Sequence, residues 1–404
     1  MTKVGAPSPQ VFWRSPPAAC HNGNVLIIFL TIFVNLIGFG MIIPILPFYG
    51  ERLQASELTI GLLFATYSLC QLIAAPVLGD LSDRWGRRPV LLFSLAGTGV
   101  SFIMLALADT VPLLFLARVV DGLSGGSIAT ARAYIVDITT EENRAKGFGL
   151  IGAAFGLGFI FGPALAGILG RFGHATPAWV AAALTFAAMA LAWLRLPETV
   201  HRESARRGAA WREVPALLGQ TDVGRLLLVD FVYWSCFAVY QTTFALYGAR
   251  RFGFDVSQIG ATLAALGLVG VVVHLRIVGP VVARLGEHRT LATGLAFGAI
   301  GLGVVAFAHS VALLVVALFP AALGIGLAGP ALSSLLSRAA DATEQGRLQG
   351  VAGSVESLGR IAGPIWGNGF LGAFGEGPAL GSAALVLLAL AALATTLRRP
   401  RVRV

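Results

Sequence analysis

Long apolar runs alternate with short charged connections along most of this chain. The runs reach the roughly 18–20 residues that carry an α-helix across a bilayer, and their spacing predicts twelve transmembrane helices. The expected spans are 24–48, 58–78, 90–108, 111–134, 147–169 and 177–194. A polar, arginine-rich stretch at 198–223 follows, and then 225–247, 257–280, 290–308, 311–336, 349–372 and 379–397. A transmembrane β-barrel would show alternating strands of about ten residues instead. The expected fold class is an all-α polytopic membrane protein. The opening segment, 1–23, carries Lys3, Arg14 and several prolines. It has no short apolar core with a small-residue cleavage site, so the first span is expected to act as the targeting signal. The other end reads Arg-Arg-Pro-Arg-Val-Arg-Val at 398–404.

Composition agrees with this reading and narrows it. Of 404 residues, 56% are hydrophobic and 12% charged, too apolar for a soluble domain of this size. The net charge of +9 comes from basic residues in short loops, where they set topology and meet anionic lipid; nucleic acid is not the expected partner. Cys20, Cys70 and Cys236 form no disulfide framework. The six histidines are scattered without metal-ligand spacing. Neither a cofactor, nor a metal, nor an enzymatic constellation is expected.

The most charged turn is Gly79-Asp-Leu-Ser-Asp83-Arg84-Trp-Gly86-Arg87-Arg88-Pro89. Such a segment cannot sit in hydrocarbon and must connect the second and third spans outside it. With the N-terminus inside, the outer loops hold only Arg52, Arg171, Arg250 and Arg251, so both termini and the central linker are expected in the cytoplasm. The two halves, 24–197 and 224–397, repeat. The turn has a degraded partner at Gly279–Arg289, the loop 137–144 matches 341–347, and Gly162-Pro163 matches Gly363-Pro364. Six spans followed by six related spans is the parallel-repeat plan of secondary transporters. Charged residues inside spans are Arg118, Asp121, Asp230, Arg276, Glu356 and Arg360, with His274 beside them. The third, sixth, ninth and twelfth spans have none in their interiors, so every third helix is expected to face lipid.

On these motifs the chain resembles the major facilitator superfamily, in its twelve-span drug:proton antiporter branch, and within it the tetracycline-resistance type; the resemblance covers 24–397. Gly79, Asp83, Arg84, Gly86, Arg87 and Arg88 match that superfamily's loop motif, whose glycines permit a close turn. The resemblance implies that Asp83 and Arg87 bridge to an acidic residue at the end of the fourth span, here Asp137, as a latch of the outward-open state. Arg118-Val-Val-Asp121-Gly122 resembles the fourth-span motif whose arginine is implicated in proton transfer. Asp121 is less usual there, and an ion pair three residues apart on one helical face is an equal reading. Gly158-x-x-x-Gly162-Pro163-x-x-x-Gly167 resembles the antiporter motif of the fifth span, which ends Gly-Gly where this chain has Ala166-Gly167. Small residues there let helices approach, and Pro163 kinks the span. Gly38 to Pro47 resembles the first span, but Asn35 stands where the branch commonly has an acid, and it cannot carry a proton.

Substrate is expected near the midplane, between the halves. The candidates are Asp230, Tyr233, Trp234, Tyr240 and Gln241, with Thr242 and Thr243 beside them, Tyr67 and Gln71 in the second span, Asn35 in the first, and Asn368 and Trp366 in the eleventh. Aromatics with a few amides suit an amphipathic ligand. For the proton, Asp230 and Glu356 rank ahead of Asp121 and His274, with Arg118 and Arg360 as the coupled arginines. Glu356 and Arg360 also have the spacing of a helix ion pair. The resemblance implies a monomeric, proton-coupled exporter of drug-like small molecules in a bacterial inner membrane, working by alternating access. Alternatives are an exporter or uniporter of a sugar or other metabolite, and a sensor that binds without transport.

Overall fold

A computed structural model describes residues 18–199, 221–339 and 345–396. The expected tails at 1–17 and 397–404, the linker over 200–220 and the loop over 340–344 lie outside the described residues. Every regular element described is helical. They are α1 (Ala18–Arg52), α2 (Glu57–Trp85), α3 (Arg87–Ala106), α4 (Val111–Leu123), α5 (Ser127–Ile138), α6 (Glu141–Gly170), α7 (Thr176–Arg195), α8 (Thr221–Phe252), α9 (Val256–Val272), α10 (Val278–Leu285), α11 (Glu287–Ala306), α12 (Val311–Arg338), α13 (Gln345–Phe374) and α14 (Glu376–Thr396). In hydrocarbon every backbone polar group must be paired within the chain, and apolar runs of this length achieve that only as helices.

Two expected spans are built from more than one element. α4 and α5 run end to end as Val111–Ile138, broken at Ser124–Gly126. α9 and α10 are joined by a π-helical turn, Val273–Ile277. Among the described residues, 11 helices are long and apolar enough to cross a membrane. α13, over the eleventh expected span, has 30 residues, about 45 Å of helix, and is more polar, carrying Glu356, Arg360 and Asn368.

Helix ends follow local chemistry. Ser56 caps α2 by accepting from the Thr59 amide at 3.2 Å, and Asp255 and Gln258 form a reciprocal capping box on α9. A single residue, Gly86, separates α2 from α3 at φ +113°, and Gly286 does the same between α10 and α11 at φ +74°, backbone that side chains other than glycine rarely adopt. The repeat is visible in the bounds: Arg87–Ala106 recurs as Glu287–Ala306, and Val111–Ile138 as Val311–Arg338.

Within each half the same pairs pack: α1 on α6 and α8 on α13, α3 on α7 and α11 on α14. Between halves α6 packs on α9 and α2 on α13. These two crossings are related by the repeat. A Cβ at Gly260 would lie 2.4 Å from the Pro163 carbonyl oxygen and 2.9 Å from Gly167; a Cβ at Gly61 would lie 2.4 Å from the Pro364 carbonyl oxygen and 2.9 Å from Asn368. Both lie toward the end of the bundle opposite the 79–89 turn. That end is also tied by Arg250, which pairs with Glu51 at 2.9 Å and Glu57 at 2.8 Å, and by Arg171, which donates to the Ser257 hydroxyl at 3.0 Å. Toward the turn end the picture reverses. The α6–α9 contact reaches as far as Gly156 and Val271, and beyond it a Cβ at Gly79, Gly149, Gly152, Gly279 or Gly353 would meet nothing within 4 Å. The halves touch at one end and stand apart at the other, leaving a cleft open on the turn end.

The charge-free spans do present apolar side chains outward, among them Phe93, Trp193, Ile300 and Leu385. Yet α3 and α11 are more buried than α2, α6 and α9–α10. The latter border the cleft as well as the outer surface, so lipid exposure alone does not sort the helices.

Candidate functional site

The spacing along α8 places Asp230, Trp234, Phe237 and Gln241 on one face and Tyr233, Cys236, Tyr240 and Phe244 on the other. The first face meets α13. The Arg360 guanidinium lies over the Trp234 ring, 5.5 Å from its centroid, a cation–π arrangement, and donates to the Ser357 hydroxyl at 3.2 Å. Glu356 and Arg360 do not close the ion pair that their spacing allows. Asp230 is 2% exposed, its Oδ2 has no hydrogen-bond partner, and its charged neighbours are Glu356 and Arg360. Across the cleft, Arg132 on α5 faces Glu356, and Tyr67 on α2 faces Arg360.

The first half supplies the other wall. Gln71 donates to the Tyr67 hydroxyl at 3.1 Å and to the Gly125 carbonyl at 3.3 Å, reaching the break between α4 and α5. Asn35 donates to Ser127 at 3.3 Å. Phe39 lies against Tyr67 and Phe159, with ring centroids 5.6 and 6.3 Å apart. Asn35, Tyr67 and Gln71 are thus brought together, alongside two phenylalanines that sequence reasoning passed over. Deeper in this half, Arg118 pairs with Asp121 at 3.1 Å, and Thr98 and Ser101 of α3 lie beside the same carboxylate, the Ser101 hydroxyl donating to the Thr98 carbonyl at 2.8 Å. Asp121 is held on several sides, whereas Asp230 keeps a free oxygen.

Several sequence candidates lie elsewhere. Tyr233 and Tyr240 point into the second half, where they line a small cavity of about 30 Å³ with Cys236, Gly298 and Gly324. Tyr233 donates to the Ile325 carbonyl at 3.4 Å. Asn368 is fully buried and donates to Thr242 at 3.1 Å and to the Pro364 carbonyl at 3.0 Å, so it belongs to the α2–α13 crossing. Thr242 and Thr243 donate to carbonyls one turn back on their own helix. Gly158 and Gly162 seat α6 against Leu36 and Gly40 of α1, while Gly167 faces Ser257 and Gly260 of the other half. Among the described residues, no group of three or more His, Cys, Asp or Glu is placed to hold a metal.

At the turn, Arg87 joins three groups of its own half. It pairs with Asp83, donates to Asp137 at 2.9 Å and donates to Ser82 at 3.2 Å. Arg84 pairs with Asp80 at 2.8 Å, and Arg88 donates to the Trp193 carbonyl. Glu198, assigned by composition to the linker, reaches back and accepts from the Arg87 and Arg88 amides at 2.8 and 3.1 Å, capping α3. Thr199 donates to Asp137 at 3.2 Å. A Cβ at Gly86 would lie 2.3 Å from the Glu198 carboxylate. These contacts coexist with a cleft open at the same end. Nothing in the local spacing pointed to Glu198, which meets its partners from more than a hundred residues away.

Residues 28–364 match the family described as Major Facilitator Superfamily, with a further match at 276–403. The chain is 37% identical over 351 residues to the class G tetracycline resistance protein of Vibrio anguillarum, covering 85% of this chain and 88% of that protein. It is 31% identical over 357 residues to multidrug resistance protein 2 of Bacillus subtilis (strain 168), covering 85% and 87%. The crystal structure of a bacterial homolog of the human lysosomal transporter Spinster, inward-facing and occupied, superposes with a TM-score of 0.79 at 15% identity, covering 93% of this chain and 96% of that one.

Proposed function

This chain belongs to the major facilitator superfamily, and from that premise we propose that it is a proton-coupled exporter of amphipathic drug-like molecules, tetracyclines among them, by alternating access. It is a multi-pass protein of a bacterial inner membrane. The tetracycline- and multidrug-resistance relatives support the substrate class. The observation that carries the coupling is Asp230: a buried carboxylate with one unpartnered oxygen, on the cleft face of α8, beside Glu356 and Arg360. A carboxylate so placed takes up a proton without breaking an existing bond.

The turn end is cytoplasmic by the distribution of basic loops. Substrate enters the open cleft there and rests between the aromatic wall of Phe39, Tyr67 and Phe159 and the Trp234–Arg360 stack. The halves rock about the α2–α13 and α6–α9 crossings, and Arg250 leaves Glu51 and Glu57 as the outer end opens. A proton arriving from outside settles on Asp230 and favours release of the substrate outward; its departure to the cytoplasm resets the site.

The test is proton flux in proteoliposomes, with tetracyclines, other amphipathic drugs and sugars added in turn. A drug-triggered proton movement in the parent, lost in Asp230→Asn with drug binding retained, is the expected result. Full pH-driven transport by Asp230→Asn would remove this residue as the carrier, and Glu356→Gln then decides whether its neighbour serves. Drug movement without protons would mean uniport.

A further inference from the structure

The 279–289 segment reads as a worn copy of the 79–89 turn, with Ala283 in the place of Asp83 and Glu287 in the place of Arg87. The structure shows what the wear has kept. In the first half, the first residue of α3, Arg87, reaches Asp137 in the last turn of α5 at 2.9 Å. In the second half, the first residue of α11, Glu287, pairs with Arg338, the last residue of α12, at 3.0 Å. Each joint follows a glycine of positive φ, Gly86 or Gly286. The geometry is repeated and the charges are exchanged.

Helix electrostatics explain why the exchange is tolerated. A helix N-terminus carries partial positive charge. Arg87 sits there with the wrong sign, and the first half brings in Glu198 to cap the exposed amides. Glu287 has the right sign and is itself the acid of the first turn. Its side chain is only 11% exposed, and the Ser334 hydroxyl donates to the carboxylate oxygen that Arg338 also holds. A nearly buried carboxylate needs such partners.

We propose that Glu287 and Arg338 form the second half's counterpart of the Arg87–Asp137 clamp, with inverted polarity, and position the 279–289 turn while the halves move. This rests on the transporter reading for its consequence, but the clamp itself is testable without substrate. Glu287→Arg, Arg338→Glu and the double exchange are introduced into the full chain with its cysteines replaced and a single cysteine at Gly279, where a side chain meets nothing. Thiol labelling reports order in the turn, and tetracycline transport in proteoliposomes reports function. Arg338 is 71% exposed, so solvent screens the pair; each single reversal sets like charges against each other and is expected to raise labelling and slow transport about three- to fivefold, with the double exchange returning both to within about twofold of the parent. A double exchange no better than the worse single, or single reversals without effect, overturns the proposal. If a single reversal does not insert, Glu287→Gln takes its place, with a smaller defect in the same direction expected and none overturning the clamp. A parent that moves no tetracycline fails the functional reading, while the labelling series still decides the clamp.

Discussion

Gly260→Ala isolates the contact on which the closed end depends. The new methyl would sit 2.4 Å from the Pro163 carbonyl oxygen and 2.9 Å from the Gly167 backbone. An ordinary carbon–oxygen contact is about 3.3 Å or more, so α9 and α6 must part by nearly 1 Å. Every opposing atom is backbone, and no rotamer change relieves the clash. Overpacking of this kind costs about 1–3 kcal/mol, and it is incurred only while that end is closed. The gain in helix propensity from alanine applies in both states and cancels. A bias of about 1–3 kcal/mol moves a two-state population roughly 5- to 150-fold. Gly61→Ala, at the pseudo-symmetric crossing, meets the Pro364 carbonyl at 2.4 Å and is expected to shift the population the same way. The assay is labelling of a cysteine at Gly353, which stands in the open cleft. Both variants are expected to slow it as the turn end closes, and Gly152→Ala, which meets nothing here, is expected not to. Unchanged labelling in Gly260→Ala and Gly61→Ala, or an equal slowing by Gly152→Ala, would refute the reasoning.

Two further outcomes follow from charged contacts. Asp121→Asn leaves Arg118, 2% exposed, without its counter-charge, and a broken buried pair of this kind costs about 3–5 kcal/mol; melting in detergent should fall clearly, and should recover in Arg118→Met/Asp121→Asn, where neither charge remains. Arg250→Ala removes the ion pairs to Glu51 and Glu57 across the closed end; these side chains are about a quarter to a third exposed, so the expected bias toward opening is roughly 0.5–1 kcal/mol. Labelling at Gly353 should slow a few-fold in Arg250→Ala, and the difference from the parent should shrink as salt screens the parent's pairs.

Much of this protein is legible in its sequence because hydrocarbon imposes simple local rules. Apolar runs must be helices, charged turns must lie outside the core, and the repeat of Gly162-Pro163 as Gly363-Pro364 marks corresponding helices. Local rules placed the charged 79–89 turn outside the bilayer; its motif roles and the acid at Asp137 could be named in advance only through the family resemblance. In the sequence Asp230, Tyr233, Trp234, Tyr240 and Gln241 stand together as candidates, since helical spacing separates two faces without saying what each one meets. Only the packing of α8 against α13 turned Asp230 and Trp234 to the cleft and sent Tyr233 and Tyr240 into the second half. Packing likewise laid Arg360 on Trp234 where spacing allowed a pair with Glu356, brought Glu198 back to cap α3, and joined Glu287 to Arg338. Hydropathy and helical period are properties of neighbours along the chain. Which distant groups meet, and which end of the cleft is closed, depends on contacts between helices far apart in sequence, and those exist only in the folded bundle.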